Sequence, residues 1–180
     1  PSIGSYYANI KISGERLLGL LYGLLDLSKL ESNRVALDFE KISFMGLVNQ
    51  VLLEFQALLI DKKITVVINS SNVNDGIEVD SNRIIQVLQN LFSNAIKFST
   101  MNSEIIVNLR NIDQGVEFSV IDNGVGIPTN ELEHIFEPFV QSSKTKTGAG
   151  GTGLGLSIAK NIIASHNGQI WAENNPKGGS

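Results

Sequence analysis

The chain has 180 residues, 42% of them hydrophobic, a net charge of −4, no cysteine and two histidines. That is enough apolar material for one sizeable core plus an appendage. It excludes a disulfide framework, a thiolate metal centre and a cluster of histidines around a metal. The acidic balance gives no reason to expect nucleic acid as a partner. No apolar run approaches the roughly 18 residues of a membrane span, and no signal peptide is visible. The composition suits the cytoplasm, although the chain opens on Pro1 and membrane segments could lie outside it.

Ile3 to Glu31 reads as one long helix. Ile10, Leu17, Leu18, Leu20, Leu21, Leu24, Leu25, Leu27 and Leu30 recur at helical spacing. The apolar arc is too wide for one small surface, so this helix is expected to be buried on more than one side, as in a helical bundle or a homodimer. Gly14, Gly19 and Gly23 weaken it. Glu31 to Arg34 breaks the pattern and marks a hinge. Val35 to Phe39 alternates and predicts a short strand. Ser43 can cap a helix with a periodic face from Phe44 to Ile60. Ile64 to Ile68 and Ile77 to Val79 predict strands.

Asp80 and Ser81 cap a helix that runs to about Phe98. At 100° per residue, Ile84, Ile85, Leu88, Leu91, Phe92, Ala95 and Ile96 gather on one side and Arg83, Gln86, Asn90, Asn94 and Lys97 on the other. A polar stripe is usually a solvated face. Asparagine, however, costs helix stability where Glu or Lys would not, so two asparagines one turn apart point to a use.

Glu104 to Leu109 and Val116 to Ile121 predict a hairpin around Asp113-Gln114-Gly115. Its second strand delivers Asp122-Asn123-Gly124-Val125-Gly126. There the glycines let a flat ligand approach the backbone and the carboxylate can accept a hydrogen bond. A short helix, Asn130 to Ile135, leads to Phe136-Glu137-Pro138-Phe139, an aromatic anchor before the polar loop Gln141 to Thr147. That combination predicts a mobile lid.

Gly150-Gly151-Thr152-Gly153-Leu154-Gly155-Leu156 then opens a helix, Leu154 to Ser165. A glycine-rich turn at a helix start is a phosphate nest. Gly148, Gly150 and Gly153 also fit the dinucleotide fingerprint literally, with Glu173 downstream. That motif needs a strand running into its first glycine, and the preceding loop is polar. A last strand is predicted over Gly168 to Glu173, and Lys177 to Ser180 reads as a turn.

These motifs, in this order over Asp80 to Gly179, resemble the ATP-binding catalytic domain of bacterial sensor histidine kinases, within the gyrase, heat-shock-chaperone and mismatch-repair ATPase superfamily. The leucine helix ending in Ser28-Lys29-Leu30-Glu31 resembles the second helix of that family's dimerisation domain. The resemblance implies residues 1–34 as that helix and a hinge, and 35–180 as the ATP-binding domain. It implies an α+β fold, a two-layer α/β sandwich with helices on one face of a mixed sheet, and a further strand after Ser180. Asn90 and Asn94 would hold Mg²⁺, whose preference for oxygen ligands amide carbonyls satisfy. Lys97 would face the phosphates and Phe98 the base or ribose. Asp122 would accept from the adenine amino group, with Gly124, Gly126 and Ile127 lining its pocket. Phe136 and Phe139 would anchor the lid, and Lys144 and Lys146 would sit within it near the γ-phosphate. Gly151, Thr152, Gly153, Leu154, Gly155 and Leu156 would wrap the triphosphate.

The implied function is transfer of the γ-phosphoryl of ATP to a histidine, for relay to a response-regulator receiver domain. The family's phosphoacceptor box is absent: His134 precedes Ile135-Phe136 and His166 precedes Asn167-Gly168. Both read as surface or capping residues, so the acceptor helix is expected to be another segment. Two other readings stay open: an ATP-hydrolysing clamp of the same superfamily and a nucleotide sensor without turnover. The hydrolases carry a glutamate base where this chain has Asn90, and an amide cannot take a proton at neutral pH.

Overall fold

The computed structural model describes residues 3–31, 36–70, 76–113, 115–145, 151–176 and 178–180. Helix α1 (Ile3–Glu31) is followed by β1 (Glu40–Ser43), α2 (Phe44–Glu54), α3 (Gln56–Lys62), β2 (Thr65–Asn69), β3 (Gly76–Val79) and α4 (Ser81–Phe98). The hairpin β4 (Glu104–Ile112) and β5 (Gly115–Ile121), two 3-10 turns (Thr129–Glu131 and His134–Phe136) and α5 (Gly155–Ser165) complete it.

Strands β2, β4 and β5 form a mixed sheet, β2 parallel to β4 and β4 antiparallel to β5. Strands β1 and β3 form a separate antiparallel ribbon in which Glu40 faces Val79. The core lies between the sheet and the helices. Phe92, Val48, Val51, Ile105 and Val107 are fully buried there, with Phe118 meeting Phe44 and Phe92 edge-on. Truncating a side chain like Phe92 costs about 3–5 kcal/mol. A second cluster joins Val87 of α4 to Leu154, Ile158, Ala159 and Ile162. Helix α4 is therefore packed on two sides, which fixes its rotation. Its N-cap is Asp80, whose Oδ1 accepts from Arg83 N at 3.1 Å, and Ser43 caps α2 by accepting from Gly46 N.

Four sequence expectations need correction. Residues 36–39 carry no strand; the ladder begins at Glu40, because pairing with β3 sets the register. Val35 lies outside the described residues. The helix expected from Phe44 to Ile60 breaks at Phe55, beyond which Leu58 and Ile60 are exposed. The helix expected over Asn130 to Ile135 is two 3-10 turns. Residues 168–173 are not in a strand: no partner among the described residues supplies a ladder.

Helix α1 exposes Leu17, Leu18, Leu21, Tyr22, Leu24 and Leu25, while Leu20 packs on the second cluster beside α5. Among the described residues no single helix is long and apolar enough to cross a membrane. His166 caps the end of α5 as expected. Its Nδ1 donates to Ile162 O at 2.8 Å, since a carbonyl can only accept, and its Nε2 accepts from Asp80 N at 3.0 Å. His134 is exposed and bonds Glu137 at 2.7 Å.

Candidate functional site

The burial of Ile84, Leu88, Phe92, Ala95 and Ile96 turns the polar stripe of α4 away from the core. A cavity of about 540 Å³ opens there. From α4 it takes Asn94, Lys97 and Phe98; from the segment after β5, Asp122, Gly126 and Ile127; and from the second 3-10 turn, Phe136. Gly151, Gly153, Gly155 and Leu156 close it at the start of α5. The same space runs on along the outer edge of β5, past Ser119 and Glu117, with residues 169–173 as its far bank.

Asn90 is one turn further back. It lines a neighbouring cleft with Thr152, Leu154 and, from α1, Gly19, Tyr22 and Gly23. The two ends of the stripe nevertheless straddle the glycine turn. Asn90 Oδ1 lies 2.6 Å from where a β-carbon on Gly155 would stand, and Lys97 Nζ lies 3.3 Å from the equivalent point on Gly151. The Lys97 ammonium also sits 4.9 Å from the Phe98 ring centroid. Partial burial lowers the Lys97 pKa from its usual value.

Asp122 is the buried carboxylate of the cavity floor. Its Oδ1 accepts from Gly124 N at 2.7 Å and Ser180 N at 3.4 Å, and its Oδ2 accepts from Ser180 Oγ at 3.1 Å. Asp122 N donates to Ser180 O at 2.8 Å. Gly179, at φ +84°, makes this approach possible: a β-carbon there would stand 2.0 Å from Asp122 O. Gly124 does not line the cavity; it packs under the end of α4, against Phe98 O.

The segment that follows the second 3-10 turn is folded onto the rim. Phe136 is buried, whereas Phe139 is exposed at φ 65° and donates its N–H to Gly153 O at 2.9 Å. Gln141 Nε2 donates to Gly151 O at 2.7 Å. Glu131 accepts from Ser143 N at 3.1 Å, and hydrogen bonding from Ser143 holds the Glu131 carboxyl below the usual carboxylate range. Lys144 Nζ donates to Val125 O at 2.9 Å, which ties it to the floor loop rather than to the glycine turn. Lys146 lies outside the described residues. Leu154 is buried and its N–H donates to Thr152 Oγ1 at 3.3 Å.

Three side chains of the site escaped the sequence reading. Ser180 satisfies Asp122. Asn174 pins the floor, accepting from Ile127 N at 2.8 Å and donating to Ile127 O at 2.7 Å. Gln141 holds Gly151. The turn residues of the sequence gave a signal for the loops but none for such distant bonds. The glycines of α1 were legible only as weak helix formers. Gly23 in fact faces Leu154, whose Cδ1 would lie 2.8 Å from a β-carbon at that position.

Residues 79–180 match the family described as histidine kinase-, DNA gyrase B- and HSP90-like ATPases. The circadian input-output histidine kinase CikA of Synechococcus elongatus is 34% identical over 178 residues, covering 97% of this chain and 24% of CikA. The chain spans about a quarter of the length of the curated relatives it matches. Full-length ShkA, solved with AMPPNP, superposes with a TM-score of 0.82 at 30% identity, over 97% of this chain and 36% of that one. The catalytic domain of the histidine kinase ThkA gives 0.71 at 35% identity, over 79% and 91%. ThkA bound to the response regulator TrrA gives 0.79 at 29% identity, over 99% and 50%.

Proposed function

We propose that this chain, which belongs to the histidine kinase-, DNA gyrase B- and HSP90-like ATPase family, is the Mg·ATP-binding catalytic module of a sensor histidine kinase. The observation that carries this reading is the convergence of Asn94, Lys97, Asp122, Gly126, Gly151, Gly153, Gly155 and Leu156 on one cavity of about 540 Å³, a volume typical of small-molecule sites. In this reading Asp122 accepts from the adenine amino group on the floor. Lys97 and the N-terminus of α5 face the phosphates, where helix partial charge and backbone N–H groups favour anions. The amide oxygens of Asn90 and Asn94 fit a hard cation, and Mg²⁺ held there would neutralise phosphate charge.

Phosphoryl transfer needs little covalent help from the protein, so catalysis is positioning and charge neutralisation. The γ-phosphoryl passes to a histidine on a helix outside these 180 residues, then to an aspartate of a response-regulator receiver domain. Residues 1–34 supply the second helix of the dimerisation domain and a hinge. Exposed Leu17, Leu21 and Leu24 form the face that pairs as a homodimer or bundle, since apolar stripes this long rarely stay bare. The module works on the cytoplasmic side of the cell.

The test is incubation with γ-labelled ATP. The chain alone is expected to bind ATP and stay unlabelled. Adding a longer chain that carries the upstream histidine helix but a disabled ATP pocket is expected to give acid-labile label on that helix. Stable label on His134 or His166 would overturn this reading.

A further inference from the structure

The last turn of α4 carries Lys97 and Phe98, and it is held by a side chain from another element. Lys62, the last residue of α3, donates from Nζ to Ile96 O at 2.7 Å, Lys97 O at 3.0 Å and Ser99 O at 3.3 Å. Its own carbonyl accepts from Asn102 N at 3.0 Å. The last carbonyls of a helix have no partner within it and carry partial negative charge. An ammonium offers three donors, and here all three go to one helix end. The opposite side of that turn is also confined. Phe98 O lies 2.7 Å from where a β-carbon on Gly124 would stand, and a side chain at Gly124 would force the two apart. The end of α4 is thus clamped between Lys62 and the Asp122–Gly126 floor.

We propose that Lys62 is a positioning residue for the nucleotide site. It fixes the height of the Lys97 ammonium and the Phe98 ring above the floor without touching the ligand. Simple helix stabilisation would not require this arrangement: Ser99 already closes α4 by donating its N–H to Ala95 O at 3.0 Å. What Lys62 adds is a bridge from α3 to the residues beyond that closure. The chain leaves α4 through Ser99 and turns back at Asn102, and Lys62 bonds both points. The consequence for ligand affinity rests on the ATP reading of the cavity.

The experiment uses Lys62→Met, which keeps an unbranched apolar stem out to Cε and removes the ammonium donors, in the full 180-residue chain. Amide hydrogen exchange comes first and needs no ligand. Exchange of residues 97–102 is expected to quicken about tenfold while Ile84 to Phe92 keep their protection. Unchanged exchange at 97–102, or a uniform rise along all of α4, overturns the proposal. Titration with a fluorescent ATP analogue comes second. Lys62→Met is expected to weaken binding about tenfold, the size of one charge-assisted contact. In a Lys97→Met background the same change is expected to cost less than about twofold, because Lys62 acts through Lys97. Losses that simply multiply in the double variant overturn it. A wild-type chain that fails to bind the analogue would instead refute the ATP reading, with the exchange result still deciding the clamp.

Discussion

Replacing Asp122 separates the fold of the pocket floor from its proposed recognition of a base. Three donors converge on this carboxylate: Gly124 N at 2.7 Å, Ser180 N at 3.4 Å and Ser180 Oγ at 3.1 Å. Asp122→Ala leaves them without that acceptor. Gly124 and Ser180 are partly exposed, so water recovers some of the loss, and the net cost is about 1–3 kcal/mol. At about 2–4 °C per kcal/mol for a domain of this size, the melting point should fall about 2–12 °C. Asp122→Asn keeps one carbonyl oxygen for Gly124 N and should melt close to the wild type. Its amide N–H, however, would meet the donor of the base. A charged acceptor is worth roughly 1.5–3 kcal/mol, so both variants should bind a fluorescent ATP analogue about 10- to 150-fold more weakly. The assay is that titration beside thermal melts of the three proteins. Asp122→Asn binding like the wild type would refute the assignment. Affinity lost only in step with melting point would show that the carboxylate serves the fold alone.

Asn90→Asp should sharpen metal dependence. A carboxylate beside the phosphates repels them by about 1–3 kcal/mol at an effective dielectric near 20, and a bound Mg²⁺ reverses the sign; equal affinities of variant and wild type in both EDTA and Mg²⁺ would remove Asn90 from the metal site. His134 should titrate above the ordinary imidazole value, because Glu137 hydrogen-bonds and attracts its protonated form. The contribution of that pair is present below the unfolded-state value and lost as pH rises through the raised one. An NMR titration should show the midpoint fall in Glu137→Gln, and an unmoved midpoint would contradict the contact.

Much of this site could be read from residue types. Asn90 and Asn94 stood out because asparagine is costly inside a helix, and the structure sets them along one face of α4. Lys97 followed from the same period. Asp122 was marked by the end of an alternating strand. What could not be read were bonds between a side chain and distant backbone. Asn174 to Ile127 spans 47 positions and Ser180 to Asp122 spans 58; neither has a period or a spacing that betrays it. Periodicity also misled where it continued past a break. The apolar pattern runs through Phe55, yet Leu53, Leu58 and Ile60 are exposed, so composition alone could not show that the helix bends there. Gln169 to Glu173 has the alternation of a strand, but a strand exists only by its partner.

The glycine turn explains why Gln141, Phe139 and Gly23 all meet it at its edges. Glycines supply no side chains to pack and lose the most freedom on ordering, so a phosphate nest cannot hold its own shape. Its position must be imposed from outside. Gly151 O takes a bond from Gln141, Gly153 O takes one from Phe139 N, and Leu154 is buried in the cluster with Ile158 and Ile162. On its far side α1 approaches until Gly23 meets Leu154. Any larger residue at Gly23 would push either α1 or Leu154 away. Leu154 directly precedes α5, so a shift of α1 is expected to move the turn with it. A helix with an exposed leucine face thus reaches the proposed nucleotide site by van der Waals contact, at Gly23 and Leu154.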